Sequence, residues 1–402
     1  MSLPNRRTAE VVLAALFTLG LLIVGGGALY FVSTINPVHT DPAAVPSSGA
    51  EPQERYAGSV AEARTLARDL LVKENLPGLS IAVAKDGDVV WAEGFGYANA
   101  ERRATVTPRT RFRTGSVSKT MTAAAIAMLY ERGRIDLDAP VQRYVPRYPE
   151  KQWMVTTRQL LGDVAGVHRI RGDNNDNVPR GHCTDVNESV EIFAGEPLLF
   201  EPGTQYRFST YGWILLSAAI EGASGESFPS FMKREVFTPL GMDRTVLEGA
   251  EDDGDMVSFY FPRAAMRVNL GLQDAPEADY SCFAGAGAFL STPSDLVRLG
   301  SAMLRPGVLK ADTIALFETP VHVKSGESSG FALGWKVDEV QLAGTSVRVV
   351  RHRANLIGGN VSLTLIPDRG LAVAVMSNVS HTDVIDPFAQ QVAAALVGDG
   401  RF

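Results

Sequence analysis

The chain has 402 residues, 45% hydrophobic and 21% charged, with a net charge of −7. That balance describes a folded globular protein and excludes collagen-like, coiled-coil and low-complexity architectures; no repeat recurs at a fixed period. The negative charge argues against a nucleic-acid partner and leaves small-molecule or peptide substrates open.

Arg6 and Arg7 precede an uncharged, mostly apolar run from Val11 to Val32, and no Lys or Arg follows until Arg55. The run has the length of a membrane span, whereas a cleaved signal peptide has an apolar core of only about 7–15 residues. The sequence therefore predicts a retained signal-anchor over residues 1–35. The positive-inside rule places its N-terminus in the cytoplasm and the rest of a single-pass protein outside, in a periplasmic or extracellular space. Residues 36–57, rich in Pro, Ser, Ala and Gly, read as a linker, and 58–402 as the folded domain.

Apolar residues at helical spacing predict a helix from Val60 to Lys73, ended by Asn75-Leu76-Pro77-Gly78. Two alternating runs, Leu79–Ala84 and Val89–Gly94, flank Lys85-Asp86-Gly87-Asp88, the signature of a β-hairpin.

Thr114-Gly115-Ser116-Val117-Ser118-Lys119-Thr120 then opens an apolar run from Met121 to Tyr130, which predicts a helix buried on all sides. Positions three apart share a helix face, so the hydroxyl of Ser116 and the amine of Lys119 can meet. The orphan N–H groups and positive dipole at a helix start favour developing negative charge. Burial disfavours a lysine's charged form and moves its neutral amine toward use as a base. Ser116 and Lys119 are thus the candidate catalytic residues.

Thr156 or Thr157 is a plausible N-cap for the next helix. The polar stretch Arg169–Thr184 reads as a long solvated loop; its Asp and Asn residues lack calcium-loop spacing. Cys183 and Cys282 permit one disulfide or two buried thiols, and are too few for a zinc framework; no metal and no cofactor is expected. Helices follow over Ile214–Ile220 and from a cap at Ser291-Thr292-Pro293-Ser294-Asp295 to about Met303. The last third predicts four strands, Phe331–Val337, Ser346–Val350, Val361–Ile366 and Leu371–Ser377, and a closing helix, Pro387–Val397. Strands at both ends around a helical block predict an α+β fold, an α/β/α sandwich. Its antiparallel sheet comes from both chain ends and is flanked by helices, and a helical insert subdomain places Ser116 at the junction.

Phe112-Arg113-Thr114-Gly115-Ser116-Val117-Ser118-Lys119, continued by Gly133-Arg134-Ile135-Asp136-Leu137-Asp138-Ala139-Pro140-Val141, resembles the first motif of the serine beta-lactamase and penicillin-binding-protein superfamily, of the class C and D-alanyl-D-alanine carboxypeptidase type. Pro140–Pro146, Phe208–Trp213 and Ala284–Thr292 are similar to its branch of mitochondrial serine beta-lactamase-like proteins and their bacterial relatives. The resemblance covers about Leu76 to Ala394. It implies an acyl-enzyme at Ser116 with Lys119 taking the proton, and an oxyanion held by backbone N–H groups of Ser116 and of the segment beyond the third motif.

Three departures stand out. The second motif, Tyr-x-Asn in the family, is Phe208-Ser209-Thr210 here, and phenylalanine cannot relay a proton. The third, Lys/His-Thr-Gly, is His352-Arg353-Ala354, followed by Asn355 in place of Gly. The helper segment His-Thr-Ser-Gly is Asp163-Val164-Ala165-Gly166. By resemblance Phe208, Thr210, His352, Ala354 and Asn355 would bind substrate or form the oxyanion site, with side chains at Ala354 and Asn355 narrowing the strand edge. The sequence thus predicts a membrane-anchored serine hydrolase acting on peptides, esters or amides. Its rival is a catalytically weak or silent relative that binds peptides or scaffolds an assembly. Oligomeric state is not legible.

Overall fold

The two ends of the chain meet in one sheet. The computed structural model describes residues 6–33, 36–170, 181–249, 254–264 and 267–398. The sheet has eight strands: β1 (Ser47–Gly49), β2 (Gly78–Lys85), β3 (Asp88–Asn99), β4 (Ala104–Thr105), β5 (Lys336–Leu342), β6 (Thr345–Leu356), β7 (Gly359–Ile366) and β8 (Leu371–Ser377). Their order is β1-β3-β2-β8-β7-β6-β5, with β4 on the side of β3. N- and C-terminal halves join where β2 pairs antiparallel with β8, from Leu79↔Ser377 to Lys85↔Leu371.

Alternation along these two strands builds both cores. Leu79, Ile81, Val83, Val373 and Val375 belong to one core, which α2 (Ala57–Lys73) and the C-terminal helix Ile385–Gly398 cover with Val60, Leu71, Phe388 and Val392. Ala82, Ala84, Ala372 and Ala374 belong to the other. Small side chains there let the helix Pro293–Leu304 lie close: a Cβ on its Gly300 would stand 2.5 Å from Leu365 Cδ2. That second core also takes in α3 (Ser118–Glu131), in which every residue from Ser118 to Leu129 is buried, and α4, the helix Thr210–Ser224. Each large aliphatic side chain so buried contributes about 1.5–3 kcal/mol. The result is the expected α+β sandwich.

The β2–β3 hairpin turns at Asp86 and Gly87, both at positive φ (54° and 98°), as an Asp-Gly pair does. Thr156 caps its helix in a capping box with Gln159, and Thr292 caps Pro293–Leu304. One expected strand is displaced. Phe331–Trp335 is not extended, because Gly330 (φ 71°) and Gly334 (φ 93°) turn the backbone around the fully buried Trp335, and the strand begins at Lys336.

The N-terminal region differs more from expectation. Of the linker read over 36–57, the part from Val38 to Gly49 is docked: Val38 N donates to Asn75 Oδ1 (2.8 Å), His39 stacks on Tyr97 (5.1 Å), and β1 adds an edge strand to β3. Ladder bonds use only backbone, so a segment without hydrophobic period can still make them. Residues 6–33 form a helix, α1, with Leu16, Phe17, Leu22, Ile23, Val24 and Leu29 each 61–74% exposed. Among the described residues, however, no helix is long and apolar enough to cross a membrane, so the expected single-pass span is not supported.

Candidate active site

Ser116 sits in a 3-10 turn, Gly115–Val117, that runs straight into α3. The turn needs glycine at 115: φ there is +48°, and a Cβ would stand 2.9 Å from Leu356 Cδ2 and 3.1 Å from the Ala354 methyl. Thr114 holds the turn from the other side. Its Oγ1 donates to Phe289 O (2.7 Å) and accepts from Ser118 Oγ (2.7 Å), while Phe112 and Arg113 pair with the short strand Phe289–Ser291.

One helical turn on, Lys119 Nζ stands 2.8 Å from Ser116 Oγ and 3.3 Å from Ala286 O, donating to both. Lys119 is completely buried. Burial pushes its ammonium down to about 7; the Asp163 carboxylate opposes this and the Arg169 guanidinium adds to it. A neutral amine in the same place can accept the Ser116 proton across the same 2.8 Å. The two side chains thus stand in contact on one helix face.

Ser116 opens into a cleft of about 460 Å³, lined by Arg169, Phe208, Thr210, Tyr280, Phe283 and the strand segment Arg353–Ile357. Strand β6 is open along that segment because its neighbour β5 stops at the pair Lys336↔Arg351. Phe208 lies at the second-motif position, its ring centroid 4.3 Å from Lys119 Nζ, so an aromatic face covers the amine on this side. Neither nearby tyrosine replaces it. Tyr206 stacks on Phe331 (4.7 Å), Tyr211 stacks on Phe193 (4.4 Å), and neither lines the cleft. Ser209 serves α4 instead: its Oγ caps Gly212 N (2.8 Å) and donates to His168 O (2.8 Å).

His352 is buried beside the dyad. Its Nδ1 donates to Gly334 O at 2.9 Å, a carbonyl that can only accept, which fixes the tautomer. Burial pushes the ring's pKa down to about 3, with the Lys119 charge adding and the Gly334 bond opposing, so His352 is neutral with Nε2 as acceptor. Arg353 is exposed and reaches the cleft; Ala354 packs on the Gly115 turn. Asn355 lines the cleft, and its Oδ1 accepts from His381 N (3.1 Å) and Asn360 Nδ2 (3.4 Å) there.

Cys183 and Cys282 form a disulfide. It joins the loop before Asp185 to the 3-10 turn Ser281–Ala286, whose last carbonyl accepts from Lys119. Within the long loop expected over 169–184, residues 171–180 lie outside the described residues.

Two site residues carried no sequence signal as such. Arg169 reaches the cleft with its guanidinium 5.7 Å from the Phe208 ring. Asp163 is buried at φ +53° and accepts from Ser209 N (3.1 Å) and Trp213 Nε1 (3.2 Å). The altered helper segment was the only sequence hint of it.

A serine at the head of a buried helix, a lysine one turn on and a sheet from both chain ends define the serine hydrolase architecture of beta-lactamases and penicillin-binding proteins. The chain belongs to the beta-lactamase family, whose model matches residues 63–397. It is 29% identical over 432 residues to the serine beta-lactamase-like protein LACTB, mitochondrial, of Bos taurus, covering 81% of this chain and 77% of that one. It is 28% identical to penicillin-binding protein 4* of Bacillus subtilis (strain 168), covering 78% and 71%. The octameric penicillin-binding protein homologue from Pyrococcus abyssi superposes with a TM-score of 0.69 at 27% identity, covering 84% and 77%.

Proposed function

We propose that the chain is a serine hydrolase that forms an acyl-enzyme at Ser116, with Lys119 as general base, on peptide, ester or amide substrates. The observation that carries this is the 2.8 Å contact between Ser116 Oγ and a fully buried lysine amine. In this reading neutral Lys119 accepts the Ser116 proton as Oγ bonds to the substrate carbonyl carbon. The C–N or C–O bond then breaks as the Lys119 ammonium returns that proton to the leaving group, and water later cleaves the ester. First-turn backbone N–H groups at Ser116 suit the oxyanion, and the open edge of β6 suits an extended acyl chain.

The test is covalent labelling with a fluorophosphonate and a fluorescent penicillin. Label that disappears in Ser116→Ala supports the reading; no label from any acylating probe contradicts it. A second reading, a weak or silent relative that binds peptides in the cleft or scaffolds an assembly, rests on Phe208, which puts a ring where the family keeps a proton-relaying hydroxyl. It gains if peptides bind while no probe labels.

Anchoring of the domain outside the cytoplasm by α1 also belongs to the proposal, as does the boundary of the anchor at residue 35. Its support is the uncharged run after Arg6 and Arg7, the exposed apolar side chains of α1, and the disulfide, which suits an oxidising compartment. Alkaline carbonate extraction of membranes tests it: release of the protein into the wash would refute anchoring.

A further inference from the structure

Lys119 carries its charge in a fully buried place, yet no carboxylate lies within ion-pair distance of it among the described residues. An isolated buried ammonium is expensive, so a counter-charge is required nearby or the proton is lost. Asp163 is the buried acid acting on it. Its geometry is specific: its backbone carbonyl accepts from Arg207 N (2.8 Å) and its Oδ1 from Ser209 N (3.1 Å), so one residue grips the chain on both sides of Phe208. The same Oδ1 accepts from Trp213 Nε1 on the first turn of α4 (3.2 Å). The non-glycine positive φ at Asp163, 53°, is a strained conformation that these contacts hold.

We propose that Asp163 is a positioning residue of the Ser116–Lys119 dyad: it clamps the Arg207–Ser209 segment so that Phe208 caps the amine, and its buried carboxylate is the counter-charge of Lys119. This rests on the serine hydrolase reading. The charged groups acting on Lys119 are Asp163 and Arg169; the Lys119 charge in turn acts on His352, and Asp163 on Tyr206. His352 stays neutral above about 3, and burial raises Tyr206. Only Lys119 and Asp163 change charge near neutrality, where burial moves the amine down and the carboxyl up.

Asp163→Asn keeps an oxygen for Ser209 N and Trp213 Nε1 but removes the negative charge that favours the ammonium. Lys119 then loses its proton at lower pH, and the acid limb of the fluorophosphonate labelling rate in the full-length chain moves down by roughly one unit. A uniform fall in rate with the limb unmoved, or no change at all, would overturn the proposal. Titration of the full-length chain labelled with 13Cε-lysine gives an arm independent of reactivity, with the Lys119 signal identified by its loss in Lys119→Met. That signal should titrate at lower pH in Asp163→Asn than in the native chain; an unmoved titration overturns the role of Asp163 even if no probe labels, whereas absent labelling with a shifted titration counts against the hydrolase reading alone.

Discussion

At the scale of residues, the chemistry of the site depends on which side chains can carry a proton. Lys119 is moved down to about 7 by burial, so its neutral fraction grows with pH through that region. Labelling of Ser116 should accordingly rise with pH up to a plateau, and a rate independent of pH between 5 and 9 would contradict the role of Lys119. Phe208 occupies the face from which a hydroxyl would reach the amine. Phe208→Tyr should therefore raise ester hydrolysis by about a hundredfold, the lower end of general acid–base gains. An unchanged rate in a protein that does acylate would mean that Lys119 handles the proton unaided. Gly115 is as constrained as the dyad: Gly115→Ala, at φ +48° and 2.9 Å from Leu356, should destabilise the fold by about 1–3 kcal/mol and suppress labelling, read by denaturant melts alongside the probe.

At the scale of elements, what orients the dyad is the set of pieces around the start of α3. The strand Phe289–Ser291 holds Thr114, and the turn Ser281–Ala286 offers a carbonyl to Lys119 and is tied back by the Cys183–Cys282 bridge. The bridge spans 99 residues of sequence, a long loop to close. Reduction or a paired Cys→Ser change should cost about 2–4 kcal/mol in thermal or denaturant unfolding and slow labelling, and an unchanged midpoint would contradict that anchoring role. The sequence carried these elements unevenly. The apolar run after Lys119, the Asp-Gly hairpin and the caps at Thr156 and Thr292 were legible, because each rests on local spacing or local hydrogen bonding. Phe331–Trp335 was misread as strand because its hydrophobicity serves the buried Trp335, while Gly330 and Gly334 set the backbone. Val38–Gly49, read as linker, docks through backbone groups, His39 and the single buried Val45, which leave no periodic mark.

At the scale of the whole molecule, the fold brings a loop at 163–169, a helix start at 208–210 and a strand edge at 352–357 around one serine. The sequence named Phe208, Thr210, His352, Ala354 and Asn355 only through their places in the motifs. It could not foresee that burial keeps His352 neutral while Gly334 fixes its tautomer, that Asn355 turns to His381, or that Asp163 grips the segment bearing Phe208. Those contacts join residues far apart in sequence, and none has a spacing rule. The central claim is that Ser116 is the nucleophile and Lys119 its base, and peptide mapping by mass spectrometry after fluorophosphonate treatment tests both at once. A single adduct is expected on the peptide containing Ser116, formed at least about a hundredfold more slowly in Lys119→Met, within the usual range for a lost general base. An adduct on another residue, or one on Ser116 that forms as fast without Lys119, would contradict it.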